Sequence, residues 1–325
     1  MAVAFDYRPP AWLPGGNAQT IWAALHARRF DGEPPRFVRE RWATPDGDFI
    51  DVDHLPGSAA APLRLVLFHG LEGSSASQYA QAFAAVARAR GWACSVPHFR
   101  GCSGELNPAP RAYHSGDYEE IGWILQRLRA SGPQPLLAVG ISLGGNALLR
   151  WAQEAGEGAA ATAAAVAAVC SPIDLASAGR AIDRGFNRLV YARMFLSTMI
   201  PKALKKWQQH PGLFDRERVA AARTIFAFDD AFTAPLHGFA GTADYWARAS
   251  AAPHLARLRI PALVLNAGND PFVPAHELPG PQQAGRFVTF WRPAGGGHVG
   301  FPHGGFPGRV QQMPSAVAGW LAAHA

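Results

Sequence analysis

Lysine and cysteine are both scarce in this chain of 325 residues. The only lysines, Lys202, Lys205 and Lys206, fall in one segment, so arginine supplies most of the positive charge behind the net charge of +6. A basic protein attracts nucleic acid when its charge is clustered, and residues 201–210 form the only dense cluster. We therefore expect no nucleic-acid partner. We interpret the segment as a solvated helix face, although its lysines and Trp207 would also suit peripheral contact with a membrane surface.

The cysteines, Cys94, Cys102 and Cys170, form neither a paired framework nor a Cys-x-x-Cys motif. This is typical of a protein from a reducing compartment, and it gives little support to a metal site. A signal peptide and a membrane-spanning run are also lacking, because the most apolar stretch, residues 159–170, is about half as long as a bilayer requires. We expect a cytoplasmic protein, at most peripheral to the inner face of the membrane.

Short apolar runs alternate along the chain with longer helical patterns. The runs cover residues 63–70, 92–99, 135–142, the segment that ends at Cys170, 260–268 and 286–293. Uncharged runs separated by helices are typical of a parallel sheet that is covered on both faces, and a hairpin signal at residues 45–48 precedes them. The sequence therefore predicts a doubly wound α/β fold with a mostly parallel central sheet flanked by helices.

The alternation stops at Asp174 and resumes at Ile260. The intervening residues have an amphipathic helical pattern rich in aromatic side chains. An insertion at the carboxyl end of a strand lies where open α/β sheets bind ligands, so we predict a helical cap after the strand that ends near Cys170. We expect one domain over residues 1–325, with its core at 36–174 and 254–325, the cap at about 175–253 and an N-terminal extension at 1–35.

The sharpest motif is VGISLGG, residues 139–145, which directly follows a strand pattern and directly precedes a helical one. In Gly-x-Ser-x-Gly the glycines allow a turn so tight that the serine hydroxyl is exposed, with the helix N-terminus behind it. We predict that Ser142 is a nucleophile. The alternative is a strand-to-helix crossover in which the serine only caps the helix.

A serine nucleophile needs a base, and the base needs a carboxylate that fixes its tautomer. In this fold class the chain order is serine, acid, histidine, and Asp270 and His298 follow strand patterns in that order. Asp174 is a rival acid because it also follows a strand, and we favour Asp270 because its strand and loop fit better. His303 is a rival base, and we favour His298 because it lies nearer its strand and follows three glycines. The spacing of the two histidines matches no common metal site.

A glycine-rich segment, LFHGLEGSS at residues 67–75, follows an early strand pattern. We predict that it supplies half of an oxyanion hole, made by the backbone N–H groups of Leu71 and of Leu143, the residue after the serine. The alternative for His69 and Gly70 is an ordinary turn at the end of a strand.

Two polar residues of the following loop are expected to be structural. Cys102 does not lie in a Gly-x-Cys-x-Gly motif like the glycine motif around Ser142, so a lining or structural role is favoured over nucleophilic attack. Arg100 could neutralise an anionic substrate or pair with Glu105, and we favour the pair.

Together these residues resemble the α/β-hydrolase superfamily and, within it, the YheT-like hydrolases, which are related to the membrane-associated abhydrolase-domain lipases of animals. The similarity covers nearly the whole chain and is carried by residues 10–25, 68–80, 98–107 and 226–250. His98 stands where more general relatives usually have aspartate. Asn17 stands where the family commonly has histidine, which puts any role of that histidine in doubt.

The resemblance implies hydrolysis of carboxylic esters, with short- to medium-chain acyl esters or acyl lipids as substrates. The expected mechanism uses Ser142, Asp270 and His298 and needs no cofactor and no metal. An acyltransferase would use the same triad with an alcohol in place of water. A binding module without activity is disfavoured, because all three residues of the triad are present.

Overall fold

Eight strands form one sheet in the computed structural model, which describes residues 5–58 and 60–325. The sheet order is β1-β2-β4-β3-β5-β6-β7-β8, in which β2 pairs antiparallel with both β1 and β4 and all remaining neighbours pair parallel. The predicted mostly parallel sheet is confirmed. The strands are β1 (Val38–Ala43), β2 (Phe49–Leu55), β3 (Arg64–Phe68), β4 (Ala93–Pro97), β5 (Leu136–Ile141), β6 (Ala165–Val169), β7 (Ala262–Leu265) and β8 (Val288–Trp291).

Helices cover both faces of the sheet, which explains why its central strands are almost wholly apolar. Successive side chains of a strand point to opposite faces, and in β3 Leu65 and Leu67 belong to one apolar core while Val66 and Phe68 belong to the other. One core also contains residues of α2 (Gln78–Ala89) and α12 (Gln312–Ala322), and the other those of α3 (Tyr118–Ala130) and α4 (Leu143–Ala155).

A set of helices between β6 and β7 packs around an apolar core of its own, which includes Leu196, Phe228 and Trp246. We refer to it as the cap. None of the described helices is both long enough and apolar enough to cross a membrane. The helices of the cap are α5 (Leu175–Ile182), α6 (Gly185–Asn187), α7 (Arg193–Gln209), α8 (Arg216–Ala221), α9 (Ile225–Phe228), α10 (Ala234–Leu236) and α11 (Thr242–Ala249), and π-helical turns at Arg188–Ala192 and Asp229–Thr233 join α6 to α7 and α9 to α10. The first helix of the chain, α1 (Gly16–Leu25), precedes the sheet.

The interpretation of the lysine segment as a solvated helix face is wrong for two of its three lysines. Lys206 is only 1% exposed, and its ammonium donates to the backbone oxygens of Asn107 and Ala109. Lys202 lies one turn earlier on the same side of α7 and pairs with Glu72 at 2.9 Å. Only Lys205 is exposed. The segment therefore does not present the basic surface that we considered for membrane contact.

The predicted pair of Arg100 with Glu105 is also wrong. Arg100 is buried, and its guanidinium donates to Glu120 at 2.5 Å and to Asp48 at 2.8 Å. Glu105 instead accepts from Arg41 at 2.8 Å. A buried guanidinium requires buried acceptors, and Asp48 and Glu120 supply them, whereas the carboxylate of Glu105 is largely exposed.

Asp229 gives the cap a stability that depends on pH. It is buried, and burial raises its pKa to about 6, although hydrogen bonds from Thr233 and Trp246 act in the opposite direction. Because the folded-state pKa lies above the unfolded one, the native state binds more protons in this range, and the free energy of unfolding falls as pH rises towards the folded-state value. We predict that Asp229→Asn gains about 1 kcal/mol over the wild type between pH 5 and pH 8, measured by urea unfolding.

The neighbouring Asp230 is the matched control. Its pKa is lowered, mainly by the backbone N–H of Thr242 and also by Arg218, so it contributes stability at neutral pH that is lost as pH falls through the folded-state value. Asp230→Asn should therefore lose stability at pH 8, and the same pH trend in both variants would contradict the assignment.

Candidate active site

Ser142 lies in the turn between β5 and α4 with a strained backbone. Its φ of 52° and ψ of −120° are unusual for a residue with a side chain. The turn can be this tight because the following helix approaches the loop after β3. A Cβ atom at Gly144 would lie 2.5 Å from the carbonyl oxygen of His69. The Gly-x-Ser-x-Gly motif therefore forms the tight turn predicted from the sequence, and the serine hydroxyl is exposed to the cavity.

The structure brings Asp270 and His298 to this serine. His298 Nε2 lies 3.0 Å from Ser142 Oγ, and His298 Nδ1 lies 2.9 Å from Asp270 Oδ2. Asp270 follows β7, where its other oxygen accepts the backbone N–H groups of Phe272 and Val273. The Asp270 carboxylate has no exposed surface, whereas the His298 side chain keeps 11% of its surface exposed. The arrangement allows the imidazole to take a proton from the serine while the carboxylate fixes its tautomer.

The two rival residues have other contacts. Asp174 caps α5, where its side chain accepts the N–H of Ser177 at 3.0 Å. His303 exchanges backbone hydrogen bonds with Arg309 at 2.8 and 2.9 Å. Burial lowers the pKa of His303. The structure therefore does not join either residue to Ser142.

Leu71 and Leu143 line the same cavity as Ser142 and His298. Leu143 is the first residue of α4, where the N–H groups have no partner within the helix. In the part of the chain that the structure describes, neither N–H donates to an acceptor. Both groups are thus available to an oxygen that carries negative charge.

His69 holds the loop that carries Leu71. Its Nε2 accepts the N–H of Phe99 at 3.1 Å, so the proton lies on Nδ1 and is donated to the Gly70 carbonyl at 2.8 Å. Burial lowers the pKa of His69 to about 3, and the ring is neutral at ordinary pH. The hydroxyl of Tyr79 accepts the N–H of Gly70 at 3.0 Å and fixes the same turn.

Sequence reasoning missed the residues that fix the loop of His298. Thr20 Oγ1 accepts the N–H of His298 at 2.8 Å. Gln19 is buried, and its Oε1 accepts the N–H of Gly296 at 2.8 Å and the side-chain amide of Asn269 at 3.0 Å. The resemblance had marked this segment of α1 without giving it a role. Asn17 accepts a hydrogen bond from the hydroxyl of Tyr191 at 2.9 Å.

Cys170 adds a sulfur atom that could bind a metal beside Asp270 and His298. Its sulfur, an oxygen of Asp270 and a nitrogen of His298 all lie within 4.8 Å of one another. Burial raises the pKa of Cys170 well above its usual value, and metals bind the thiolate rather than the thiol. Since the acid and the histidine also bond to each other, the chemistry of this set fits proton transfer better than metal ligation.

An apolar cavity of about 1140 Å³, open space at its mouth included, lies between the core and the cap. The cap contributes apolar side chains such as Ile182, Phe195 and Phe232. Its polar lining includes the ion pair of Lys202 with Glu72, the residue after Leu71. Cys102 lies beside this pair, 3.8 Å from the ammonium, and burial raises its pKa to about 12, so it is a neutral thiol.

Comparison with known proteins gives relatives over nearly the full chain. The family described as alpha/beta hydrolase fold matches residues 64–304. The protein named "Putative esterase YheT" from Escherichia coli (strain K12) is 38% identical, covering 98% of this chain and 94% of its own. Phospholipase ABHD3 from Mus musculus is 28% identical, and the match covers 96% of this chain and 77% of the phospholipase. The solved structure of the Pyrococcus furiosus esterase Pf2001 aligns with a TM-score of 0.57 over 91% of this chain and 98% of its own, and its 14% identity limits the likeness to the fold.

We predict that Thr20 positions His298 for catalysis. Thr20→Ala removes the acceptor of the His298 N–H, and we expect kcat for a soluble ester to fall about tenfold while KM changes little. Thr20→Ser keeps the hydroxyl and should retain most of the activity. Steady-state kinetics of both variants, with melting temperatures measured in parallel, check this.

Thr162→Ala is the control, because Thr162 follows a short helical turn at Gly156–Ala161 and has no contact with the loop of His298. An equal loss of kcat in Thr20→Ser and Thr20→Ala would show that the hydroxyl does not position the histidine.

Proposed function

The chain belongs to the α/β-hydrolase family, and from this premise we propose that it is a serine hydrolase that cleaves carboxylic esters through Ser142, His298 and Asp270. The observation that carries the proposal is the contact of His298 with both other residues, at 3.0 Å to the serine oxygen and 2.9 Å to the carboxylate. The names of the esterase and phospholipase relatives support ester hydrolysis as the reaction.

The reaction proceeds in two stages. His298 Nε2 takes the proton of Ser142 Oγ as the oxygen attacks the ester carbonyl carbon, and Asp270 stabilises the imidazolium that forms. The N–H groups of Leu71 and Leu143 donate to the resulting oxyanion. His298 then gives its proton to the departing alcohol, and a water activated by the same histidine releases the acid from Ser142. Every step uses groups of this chain, and the mechanism needs no cofactor.

The cavity supports a substrate with an apolar acyl group. Its lining is largely aliphatic and aromatic, and it includes the ion pair of Lys202 with Glu72, which directly follows Leu71 in the chain. We propose short- to medium-chain acyl esters or acyl lipids as substrates. The three cysteines are free thiols, which supports a reducing, cytoplasmic location.

Covalent labelling tests whether Ser142 is the nucleophile. A fluorophosphonate that reacts with activated serines should label the wild type, and Ser142→Ala should remain unlabelled and lose at least ~10³-fold in kcat. His298→Ala should lose activity to a similar extent, because the serine is then without its base. Equal labelling of the wild type and Ser142→Ala would refute the assignment.

His303→Ala is the matched control for the base, since His303 lies in the same loop but bonds to Arg309 through its backbone. It should keep most of the wild-type kcat, and a full loss there with full activity in His298→Ala would reverse the roles of the two histidines.

A series of esters of increasing length tests whether the acyl chain binds in the cavity. Each added methylene that enters the cavity is worth about 0.8 kcal/mol, so kcat/KM should rise severalfold per methylene along a series of p-nitrophenyl esters until the cavity is full. Ala178 lines the cavity from α5, and Ala178→Leu should shorten the longest well-accepted chain while short esters react as before.

Ala181→Leu, in the same helix but outside the lining, is the control for this series. An unchanged length preference in Ala178→Leu would place the acyl chain elsewhere. Product analysis with added alcohols completes the test, because transesterified products in place of free acid would identify an acyltransferase.

A further inference from the structure

Three large apolar side chains are exposed together where the cap turns from α6 into α7. Phe186 is 52% exposed, Leu189 is 72% exposed and Met194 is 52% exposed. Exposed residues recur along this helix every three or four positions, while Tyr191, Ala192 and Leu196 are buried on its other side. We call the exposed surface of residues 184–194 the cap face. Clustered exposed apolar residues of this size often mark an interaction site.

The cap face is also positively charged. Arg184, Arg188 and Arg193 alternate with the apolar side chains and are exposed. Within residues 5–58 and 60–325, none of the three forms an ion pair with a carboxylate. The sequence contains no aspartate or glutamate from position 184 to position 214. The face therefore has unpaired positive charge that a negatively charged partner would complement.

The cap face lies close to the candidate active site. The ring of Phe186 contacts that of Tyr191 at 6.1 Å between centroids, Tyr191 contacts Phe272 at 4.5 Å, and Phe272 contacts the imidazole of His298 at 4.3 Å. On the inner side of the same helix, Phe195 lines the cavity. Two aromatic rings thus separate the exposed surface from the candidate catalytic histidine.

We propose that the cap face docks on a lipid surface that contains anionic lipids. Phe186, Leu189 and Met194 would enter the boundary between headgroups and acyl chains, and the arginines would pair with lipid phosphates. Apolar side chains alternating with unpaired cations match the chemistry of that boundary. This site differs from the lysine segment considered from the sequence, whose Lys206 is buried. The docking does not depend on the proposed hydrolysis.

The test uses the full-length Ser142→Ala protein, so that binding is measured without turnover. The protein is sedimented with vesicles of phosphatidylcholine alone and with vesicles that also contain phosphatidylglycerol. We expect binding to the anionic vesicles, weaker binding to the neutral ones, and a decline as salt is added. A failure of ester hydrolysis would leave this result unchanged, so the two proposals can fail separately.

Variants of the cap face locate the contact. Since each arginine near an anionic surface contributes about fivefold in affinity, Arg188→Ala combined with Arg193→Ala should weaken binding roughly 25-fold. Leu189→Ser should weaken it severalfold by removing an apolar side chain from the boundary. The controls are Arg286→Ala, an exposed arginine outside the cap, and Val38→Ser, an apolar residue 65% exposed on β1. Both should bind like the parent protein.

Three results would overturn the proposal. The first is the absence of binding to anionic vesicles, and the second is equal binding by the cap-face variants and the parent. The third is a dimer in size-exclusion chromatography that Leu189→Ser dissociates while vesicles stay unbound, because the cap face would then be an interface between two copies of this chain.

Discussion

The close approach of α4 to the loop after β3 is the constraint on which the site depends. It accompanies the strained turn at Ser142, and Leu143, the first residue of α4, lines the same cavity as Leu71. A larger residue at Gly144 would push this helix away from His69. The strain is sustained because β5 is packed in the apolar cores on both sides of the sheet and α4 in one of them. The position of Ser142 is therefore set by packing rather than by the motif alone.

His298 reaches Ser142 through a loop that has no regular structure of its own. Its glycines would leave the loop backbone flexible, and the hydrogen bonds that the N–H groups of His298 and Gly296 donate to Thr20 and Gln19 restrict that flexibility. Gly297 also lets α1 come close, because a Cβ atom there would lie 2.6 Å from the Gly16 carbonyl. The glycines thus serve a close contact with the N-terminal helix as much as the backbone freedom expected from the sequence.

Local patterns in the sequence predicted the parts of the structure that are local. The mostly parallel sheet and the turn at Ser142 follow from apolar runs and from a motif whose strand and helix are its neighbours in the chain. Partners that lie far apart in the chain were not predictable. Arg100 bonds to Asp48, 52 residues away, and Lys206 to Asn107, 99 residues away. The periodicity of apolar residues does not predict contacts over such separations in the chain. We expected Arg100 to pair with Glu105 because the two are close in the chain. Arg100 is buried, and it pairs instead with acceptors that are buried too.

Helix α7 joins three regions, which are the cap face, the cavity and the loop of Leu71. Its outer side belongs to the cap face, Phe195 and Met199 line the cavity, and Lys202 pairs with Glu72 next to the predicted oxyanion hole. The Glu72 carboxylate is 11% exposed, so the pair is screened less by water than a surface ion pair and holds the cap to the loop of Leu71 more firmly. A movement of α7 away from the core would separate these charges. The cap therefore contributes to the position of the loop of Leu71 as well as to the shape of the cavity.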